Sequence, residues 1–266
     1  MARRLALITG ASAGIGAAFA RIYASHGYDV ALTARRLDRL EALAAEIRLR
    51  FGVEAYPIAA DLAQPDAVDQ VLAAIEAEGR VVDALVNNAG YGLPGAYANT
   101  RWEDQQAFLQ VMVTAPCELA HKLLPGMVER RYGRIVNVAS VAGLMPGAAG
   151  HTLYAASKSL LIRFSESLHL EAAAHGVHVS ALCPGFTYTE FHDVNGTRAQ
   201  TSAATPKWLW LQADRVVADG WRAVEANRAV CVPSLPYKLI CAAARLIPDP
   251  LALAIMRTQG RRFRQL

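Results

Sequence analysis

A glycine-rich turn between a strand and a helix decides the fold of this sequence. An apolar run, Arg4–Thr9 (RLALIT), leads into Gly10–Gly16 (GASAGIG), and an alanine-rich helical pattern follows over Ile15–Gly27. Glycines let the chain turn tightly here and let an anion approach the backbone N–H groups at the helix N-terminus. The segment therefore predicts a phosphate cradle; a glycine-rich turn without a ligand is the alternative.

Strand-length apolar runs and helical patterns alternate along the following sequence. This alternation is typical of βαβ units with a parallel sheet buried on both faces, and right-handed crossovers make the sheet doubly wound. We therefore predict an α/β fold, a Rossmann-like doubly wound parallel sheet in a single domain with a helical C-terminal appendage. The predicted strands are Arg4–Thr9, Asp29–Ala34, Val53–Ala59, Val82–Val86, Arg134–Ala139 and Val177–Cys183, and the helices are Ile15–Gly27, Leu37–Phe51, Pro65–Glu78, Trp102–Arg131 and Thr152–His175.

The regular alternation ends after Pro184-Gly185. We assign residues 1–207 to a core that includes a flexible substrate loop, 186–207, because polar loops of that length often cover a site. Residues 208–266 are predicted to form helices and a final strand within the same domain.

Composition excludes several classes of protein. The 266 residues are 53% hydrophobic, which argues against disorder, and a formal charge of +4 is too small and scattered for nucleic-acid binding. The four cysteines, Cys117, Cys183, Cys231 and Cys241, are too far apart in sequence to indicate a metal site or a disulfide framework. We expect a cytoplasmic protein, without a secretory leader, a membrane span or a bound metal.

Four further segments fall at ordered distances after the glycine turn. Asn87-Asn88-Ala89-Gly90 follows the fourth predicted strand, Ser140 follows the fifth, Tyr154-Ala155-Ala156-Ser157-Lys158 opens the next helix, and Pro184-Gly185 follows the sixth strand. In this order, with a G-x-x-x-G-x-G turn, they resemble the classical short-chain dehydrogenase/reductase family, NADP(H)-preferring type, over about residues 4–230.

A possible reaction centre can be derived from the residue types alone. Tyr154 and Lys158 are four apart on a helix and share a face, so the ammonium is expected to lower the tyrosine pKa toward neutrality. Such a tyrosine can exchange a proton with a carbonyl or hydroxyl oxygen, and Ser140 at a strand end can hydrogen-bond that same oxygen. The alternatives are a solvated helix face and a serine that satisfies a backbone group.

The hydride in such a reaction would have to come from a nicotinamide ring, because no side chain supplies one. An NAD enzyme places an acid after the second strand, and this chain has Ala34-Arg35-Arg36 there. We therefore predict NADP(H), with Arg35 and Arg36 on its 2′-phosphate; ordinary solvated arginines are the alternative. The resemblance implies cofactor contacts from Gly10, Ser12, Gly14, Ile15, Gly16, Asp61, Leu62, Asn88, Ala89, Gly90, Tyr154, Lys158, Pro184, Gly185, Thr187 and Thr189, with Lys158 holding the nicotinamide ribose.

One of these positions, Asp61, has a second interpretation, and another position in the chain departs from the family pattern. Asp61 is also a candidate helix N-cap, with Gln64 reaching back to it. Many family members have an asparagine in the long helix before the fifth strand, where it holds a water for proton relay, and here Met112 falls at that position. We expect a complete Ser140, Tyr154 and Lys158 set without the fourth member.

Substrate and partner are less sharply predicted. By resemblance, Tyr91, Leu93, Leu144, Met145 and Phe186 line the substrate pocket, which favours a hydrophobic ketone or aldehyde and its alcohol. A protein that binds NADP(H) with little turnover, and a membrane-surface lipid carbonyl reductase, are the alternatives. The appendage has Trp208, Trp210, Trp221 and a basic end with Arg257, Arg261, Arg262 and Arg264; we favour packing within the chain or in a homodimer or homotetramer over membrane contact.

Overall fold

A seven-stranded parallel sheet with helices on both faces forms the protein. The computed structural model describes residues 3–93, 95–150, 152–191 and 205–263. The sheet order β3-β2-β1-β4-β5-β6-β9 confirms the doubly wound α/β fold, and a separate parallel pair, β7 and β8, lies outside it. The strands are β1 Leu5–Thr9, β2 Asp29–Ala34, β3 Ala55–Ala59, β4 Val82–Asn87, β5 Gly133–Val138, β6 Val177–Leu182, β7 Thr187–Tyr188, β8 Leu211–Gln212 and β9 Val230–Cys231. The helices are α1 Gly14–Ser25, α2 Leu37–Phe51, α3 Ala67–Ala77, α4 Trp102–Leu109, α5 Ala115–Glu129, α6 Thr152–Ala172, α7 Ala213–Glu225, α8 Leu235–Leu246 and α9 Asp249–Phe263.

The central strands are buried on both faces, which is why they are continuous apolar runs. All five residues of β1 are buried, and their side chains alternate between two cores. Ala6 and Ile8 pack with Phe19 of α1, whereas Leu5 and Leu7 belong to the opposite core. This double burial fixes the register of β1, whose carboxyl end carries the glycine turn.

The C-terminal segment packs on the same domain. Trp221 of α7 stacks on His26 with ring centroids 4.2 Å apart and contacts Tyr23 edge-on at 4.7 Å. Trp210 is 8% exposed, whereas Trp208 is 63% exposed. Two of the three tryptophans thus serve packing within the chain.

Two sequence expectations for this segment need adjustment. The predicted final strand is β9, which pairs with β6, but α8 and α9 follow it in the chain. The predicted loop 186–207 contains β7, which pairs with β8 beyond its end; residues 192–204 lie outside the described part of the chain.

A buried ion pair holds the amino-terminal edge of the sheet. Arg80 Nη1 donates to Asp29 Oδ2 at 2.8 Å and to the Tyr56 hydroxyl at 3.1 Å. Arg80 Nη2 donates to the Arg3 carbonyl at 2.7 Å, and Asp29 Oδ1 accepts the Glu54 N–H at 2.9 Å. The Asp29 side chain is only 4% exposed, so its charge depends on this partner.

We expect Arg80→Ala to lower the free energy of unfolding by about 3 kcal/mol, because it leaves the buried Asp29 charge unpaired. Urea unfolding measures the change. Arg163→Ala is the control, since the Arg163 side chain is 75% exposed in its pair with Glu166, and it should cost less than about 1 kcal/mol. Equal losses in the two variants would contradict the role of the buried pair.

Candidate active site

The glycine turn has the geometry of an anion cradle. Gly10 and Gly14 have φ of 65° and 56°, values that side-chain-bearing residues rarely adopt. A Cβ at Gly16 would lie 2.3 Å from the Gly10 carbonyl oxygen. The N-cap residue of α1, Ala13, makes no side-chain cap, so the first turn of the helix keeps its backbone N–H groups for another acceptor.

Hydrogen bonds join this turn to the loop after β4. Thr9 Oγ1 accepts the N–H groups of Asn88 and Ala89, both at 2.9 Å. Asn88 Nδ2 donates to the carbonyls of Thr9 at 2.9 Å and Gly10 at 3.2 Å. The carboxyl ends of β1 and β4 are therefore held in one rigid unit.

Ser140 and Tyr154 meet at the carboxyl end of β5. Ser140 Oγ accepts the Ala142 N–H at 3.1 Å, which positions the hydroxyl at the start of a short 3-10 turn, near enough to the Tyr154 hydroxyl to influence its pKa. Burial raises the pKa of Tyr154, and the neighbouring Ser140 hydroxyl opposes this only in part. The pKa shift is thus opposite to the one expected from Lys158 alone, because desolvation outweighs the neighbouring groups.

Lys158 is the buried cation of the site. Its Nζ donates to the Val138 carbonyl at 2.8 Å and lies 5.8 Å from the Tyr154 ring centroid. Burial lowers the pKa of Lys158 to about 8. Near neutral pH the ammonium is therefore mostly protonated, yet it holds that proton far less tightly than an exposed lysine.

Arg36 lies beside the glycine turn. Its Nη2 donates to Ser12 Oγ at 2.9 Å, and its Nη1 reaches Glu190 Oε2 at 3.1 Å. Arg39 Nη1 donates to the other Glu190 oxygen at 2.6 Å, so one carboxylate bridges two arginines and the pKa of Glu190 is lowered, mainly by Arg39. Arg35 is exposed, with its charge near Tyr91.

Arg39 and Glu190 were not predicted as site residues. Arg39 follows Arg36 by almost one helical turn, which is a signal that sequence spacing could have given. Glu190 is 154 residues away from Arg36, and no local pattern links the two.

The other predicted cofactor residues lie around the same edge of the sheet. Asp61 Oδ1 accepts the Ala63 N–H at 3.1 Å, and the N-cap residue of α3 is Asp66, so the alternative of Asp61 as the cap of that helix is wrong. Thr187 Oγ1 donates to the Gly185 carbonyl at 3.0 Å, next to Pro184. A Cβ at Gly14 would lie 2.9 Å from Thr189 Cβ, so the segment after β7 lies against the glycine turn.

Met112 lies in an irregular part of the long helix. The predicted helix Trp102–Arg131 is interrupted by a π-helical turn at Gln110–Thr114, between α4 and α5. Met112 is 1% exposed, and a Cβ at Gly90 would lie 2.8 Å from its sulfur. A thioether has no proton to donate and accepts only weakly, so the side chain cannot relay a proton.

A small cleft opens beside Tyr154, with a cavity volume of about 20 Å³. Phe191 lies near it, with its ring centroid 5.9 Å from that of Tyr154, and sequence reasoning missed this residue. Among the described residues, only Leu93 of the predicted pocket lines the cleft. Its lining residues are Leu93, Gly95, Tyr97, Gln105, Phe108, Gly150, Thr152, Leu153 and Tyr154.

The remaining pocket predictions lie elsewhere around the site. Phe186 packs on Trp210 at 5.6 Å between ring centroids, and Tyr91 meets Phe108 edge-on at 5.5 Å. Leu144 packs against a small core cluster, and Met145 is half-buried. Their contact with a substrate stays a prediction.

We expect Lys158→Met to raise the free energy of unfolding at pH 7 by about 2 kcal/mol, because burial penalises the ammonium and the thioether chain of Met fills the same space. The pKa of Lys158 is lowered from 10.5 to about 8 in the folded protein. The penalty is therefore complete below pH 8 and disappears as the pH rises toward 10.5.

Urea unfolding at several pH values measures this gain. Lys207→Met, at an exposed lysine, should leave the free energy of unfolding nearly unchanged at every pH. A gain for Lys158→Met that does not shrink above pH 8 would contradict a buried ammonium as its cause.

Comparison with known proteins agrees with this arrangement. The family model described as short chain dehydrogenase matches residues 4–199. An uncharacterized oxidoreductase of Myxococcus xanthus is 34% identical over 260 residues, covering 97% of this chain and 98% of its own. A short-chain dehydrogenase from Sphingobium yanoikuyae, solved in complex with NADPH, is 31% identical with a TM-score of 0.80, covering 91% of this chain and 93% of its own.

A 7beta-hydroxysteroid dehydrogenase structure is 25% identical with a TM-score of 0.85, covering 95% of this chain and 96% of its own. The family match spans the glycine turn, Ser140, Tyr154 and Lys158. The chain therefore belongs to the short-chain dehydrogenase family, oxidoreductases that act on alcohol and carbonyl groups and typically use a nicotinamide cofactor.

Proposed function

We propose that this protein is an NADPH-dependent oxidoreductase that interconverts a hydrophobic ketone or aldehyde and its alcohol. The observation that carries the proposal is that Ser140, Tyr154 and Lys158 converge at the carboxyl end of β5, with the Lys158 Nζ 5.8 Å from the Tyr154 ring centroid. These groups lie where the carboxyl ends of parallel strands place ligands in open α/β sheets. Tyr154 is the proton donor of the three residues. The anion that it leaves, a phenolate, is stabilised by the neighbouring Lys158 ammonium.

The residues have separate roles in reduction. When bound, the nicotinamide supplies the hydride that reduces the carbonyl carbon. Ser140 donates a hydrogen bond to the carbonyl oxygen, and Tyr154 transfers its hydroxyl proton to that oxygen as the C–H bond forms. Because burial keeps Tyr154 protonated, its resting state suits reduction; Lys158 stabilises the phenolate that remains.

Met112 bears on how Tyr154 regains its proton. The asparagine that holds a relay water in many family members is replaced here by the buried thioether of Met112. The Lys158 ammonium donates to the Val138 carbonyl. The proton must then come from solvent by a path that does not use the side chain at position 112. We infer that reprotonation, rather than hydride transfer, limits the rate at high pH.

Arg36 supports NADPH over NADH. The arginine lies between Ser12 of the glycine turn and the Glu190 carboxylate, and its pairing with that carboxylate supports the binding of an anion beside the glycine turn. The position after β2 that would hold a ribose-binding acid is Ala34-Arg35, so the chain itself places no acid at that position. A bound 2′-phosphate would have to take the place of the Glu190 carboxylate on Arg36. The related enzyme of Sphingobium yanoikuyae was solved with NADPH.

The cleft supports a hydrophobic substrate. Leu93, Phe108 and Leu153 line it with Tyr154, and no Asp, Glu, Lys or Arg is among its described lining residues. A cleft of this character does not compensate the desolvation of a charged metabolite.

We expect Arg36→Ala to raise the NADPH dissociation constant roughly 10- to 100-fold and to change NADH binding less than about threefold, because only NADPH carries the phosphate that the guanidinium binds. Titration of the intrinsic fluorescence measures both constants. Arg50→Ala, on the exposed face of the same helix, should alter neither. An equal loss for both cofactors would contradict the assignment of Arg36 to the 2′-phosphate.

We expect Tyr154→Phe to reduce turnover roughly 10²- to 10⁴-fold while leaving NADPH binding intact, because it removes the transferred proton and keeps the ring. The assay follows NADPH absorbance with aromatic, aliphatic and long-chain ketones and aldehydes. Tyr97→Phe is the control, since Tyr97 lines the same cleft and is 46% exposed. Retained turnover in Tyr154→Phe would overturn the proposal, and binding without turnover on any compound would favour a cofactor-binding protein instead.

A further inference from the structure

The outer face of α8 is apolar and exposed. Leu235, Leu239 and Leu246 are 66%, 62% and 85% exposed, and exposed Ala242 lies between them. Spacings of four, three and four residues put the four side chains on one stripe of the helix. The opposite side is buried through Tyr237 and Cys241. The stripe is therefore a surface feature of a well-packed helix.

The following helix extends this surface. Leu251 and Leu253 of α9 are 55% and 56% exposed, whereas Ala252 is buried against the domain. We group these two leucines with the α8 stripe and call the set the C-terminal apolar face: Leu235, Leu239, Ala242, Leu246, Leu251 and Leu253. An exposed apolar stripe along a whole helix, as on α8, is unusual on a monomer and marks a binding surface.

Positive charge surrounds this face. Lys238, Arg245 and Arg257 are exposed on α8 and α9. Residues 228–266 contain seven of the 27 Lys and Arg residues but only one of the 23 Asp and Glu residues, Asp249. The remainder of the chain therefore has 20 basic and 22 acidic residues, and the excess of positive charge belongs to this end.

The charge distinguishes between two occupants of the face. In a two-fold dimer the same patch would meet itself, which would bring like charges together around the leucines. An anionic lipid surface offers an apolar layer for the leucines and phosphate groups for the cations. Within the described residues, no helix combines the length and apolar character that crossing a bilayer requires.

We propose that the C-terminal apolar face docks the protein on an anionic membrane surface, with α8 and α9 lying in the headgroup region. The inner side of α8 adjoins the candidate active site: the Tyr237 hydroxyl accepts the Phe186 N–H at 3.0 Å and donates to the Leu209 carbonyl at 2.9 Å. Docking therefore brings the loop after β6 close to the lipid. The surface is independent of the proposed reaction, and its test needs no turnover.

Vesicle sedimentation tests the proposal on the full chain. We expect the protein to pellet with phosphatidylcholine vesicles that contain phosphatidylglycerol, to pellet much less with phosphatidylcholine alone, and to be released by high salt. Leu239→Glu/Leu246→Glu should weaken the binding roughly tenfold or more, because each leucine loses its favourable burial in lipid and gains a repelled charge. Lys238→Glu/Arg245→Glu should weaken binding to anionic vesicles by a similar factor.

The matched control is Leu49→Glu/Leu170→Glu, on α2 and α6, where the two leucines are 92% and 79% exposed. This pair adds the same charge and should leave the binding unchanged. Circular dichroism verifies that every variant is folded. Failure to pellet with anionic vesicles, or equal weakening by the control pair, would overturn the proposal, as would a dimer in analytical ultracentrifugation that Leu239→Glu/Leu246→Glu dissociates.

Discussion

The hydrogen bonds between Thr9 and the Asn88 loop are the constraint on which the site depends. One hydroxyl accepts two backbone N–H groups, and the Asn88 amide satisfies two carbonyls of the glycine turn. Each group is held at 2.9–3.2 Å in a half-buried setting, so losing either side chain would leave several backbone groups without partners. The turn can be rigid although it is rich in glycine, because a neighbouring loop supplies the restraint that its own residues lack.

A second connection ties the C-terminal segment to the same edge of the sheet. Gly185 lets the Tyr237 ring of α8 pack directly on the loop after β6; a Cβ there would lie 1.9 Å from the ring. The Tyr237 hydroxyl also binds the backbone on both sides of the predicted substrate loop, at Phe186 and Leu209. The C-terminal segment is thus a structural part of the site. A surface that binds the outer face of α8 lies only one helix away from the loop after β6.

Short-range patterns predicted most of the fold. Strand β2 and helix α2 match their predicted bounds, and Ser140, Tyr154 and Lys158 are brought together as expected. The pairing of β7 with β8 was missed because two residues pair with two others across 24 positions of sequence, too short a pattern for periodicity to detect. The Glu190 bridge was missed because it joins residues more than 150 positions apart. The π-helical turn at Gln110–Thr114 was missed as well, since the helical pattern runs through it.

Burial is the physical quantity that sequence reasoning could not supply at the reaction centre. The spacing of Tyr154 and Lys158 correctly puts a cation near a phenol, but the sign of the tyrosine pKa shift depends on how much water both groups lose. Desolvation moves the two pKa values apart: that of the phenol rises above its usual 10.0, and that of the ammonium falls from 10.5 to about 8. In the resting protein a neutral Tyr154 phenol therefore lies beside a Lys158 ammonium that holds its proton weakly. The ion pair of phenolate and ammonium forms only when the substrate oxygen takes the tyrosine proton. Burying the Lys158 ammonium lowers the free energy of unfolding of the resting protein. The same buried charge stabilises the phenolate that develops on Tyr154 during reduction.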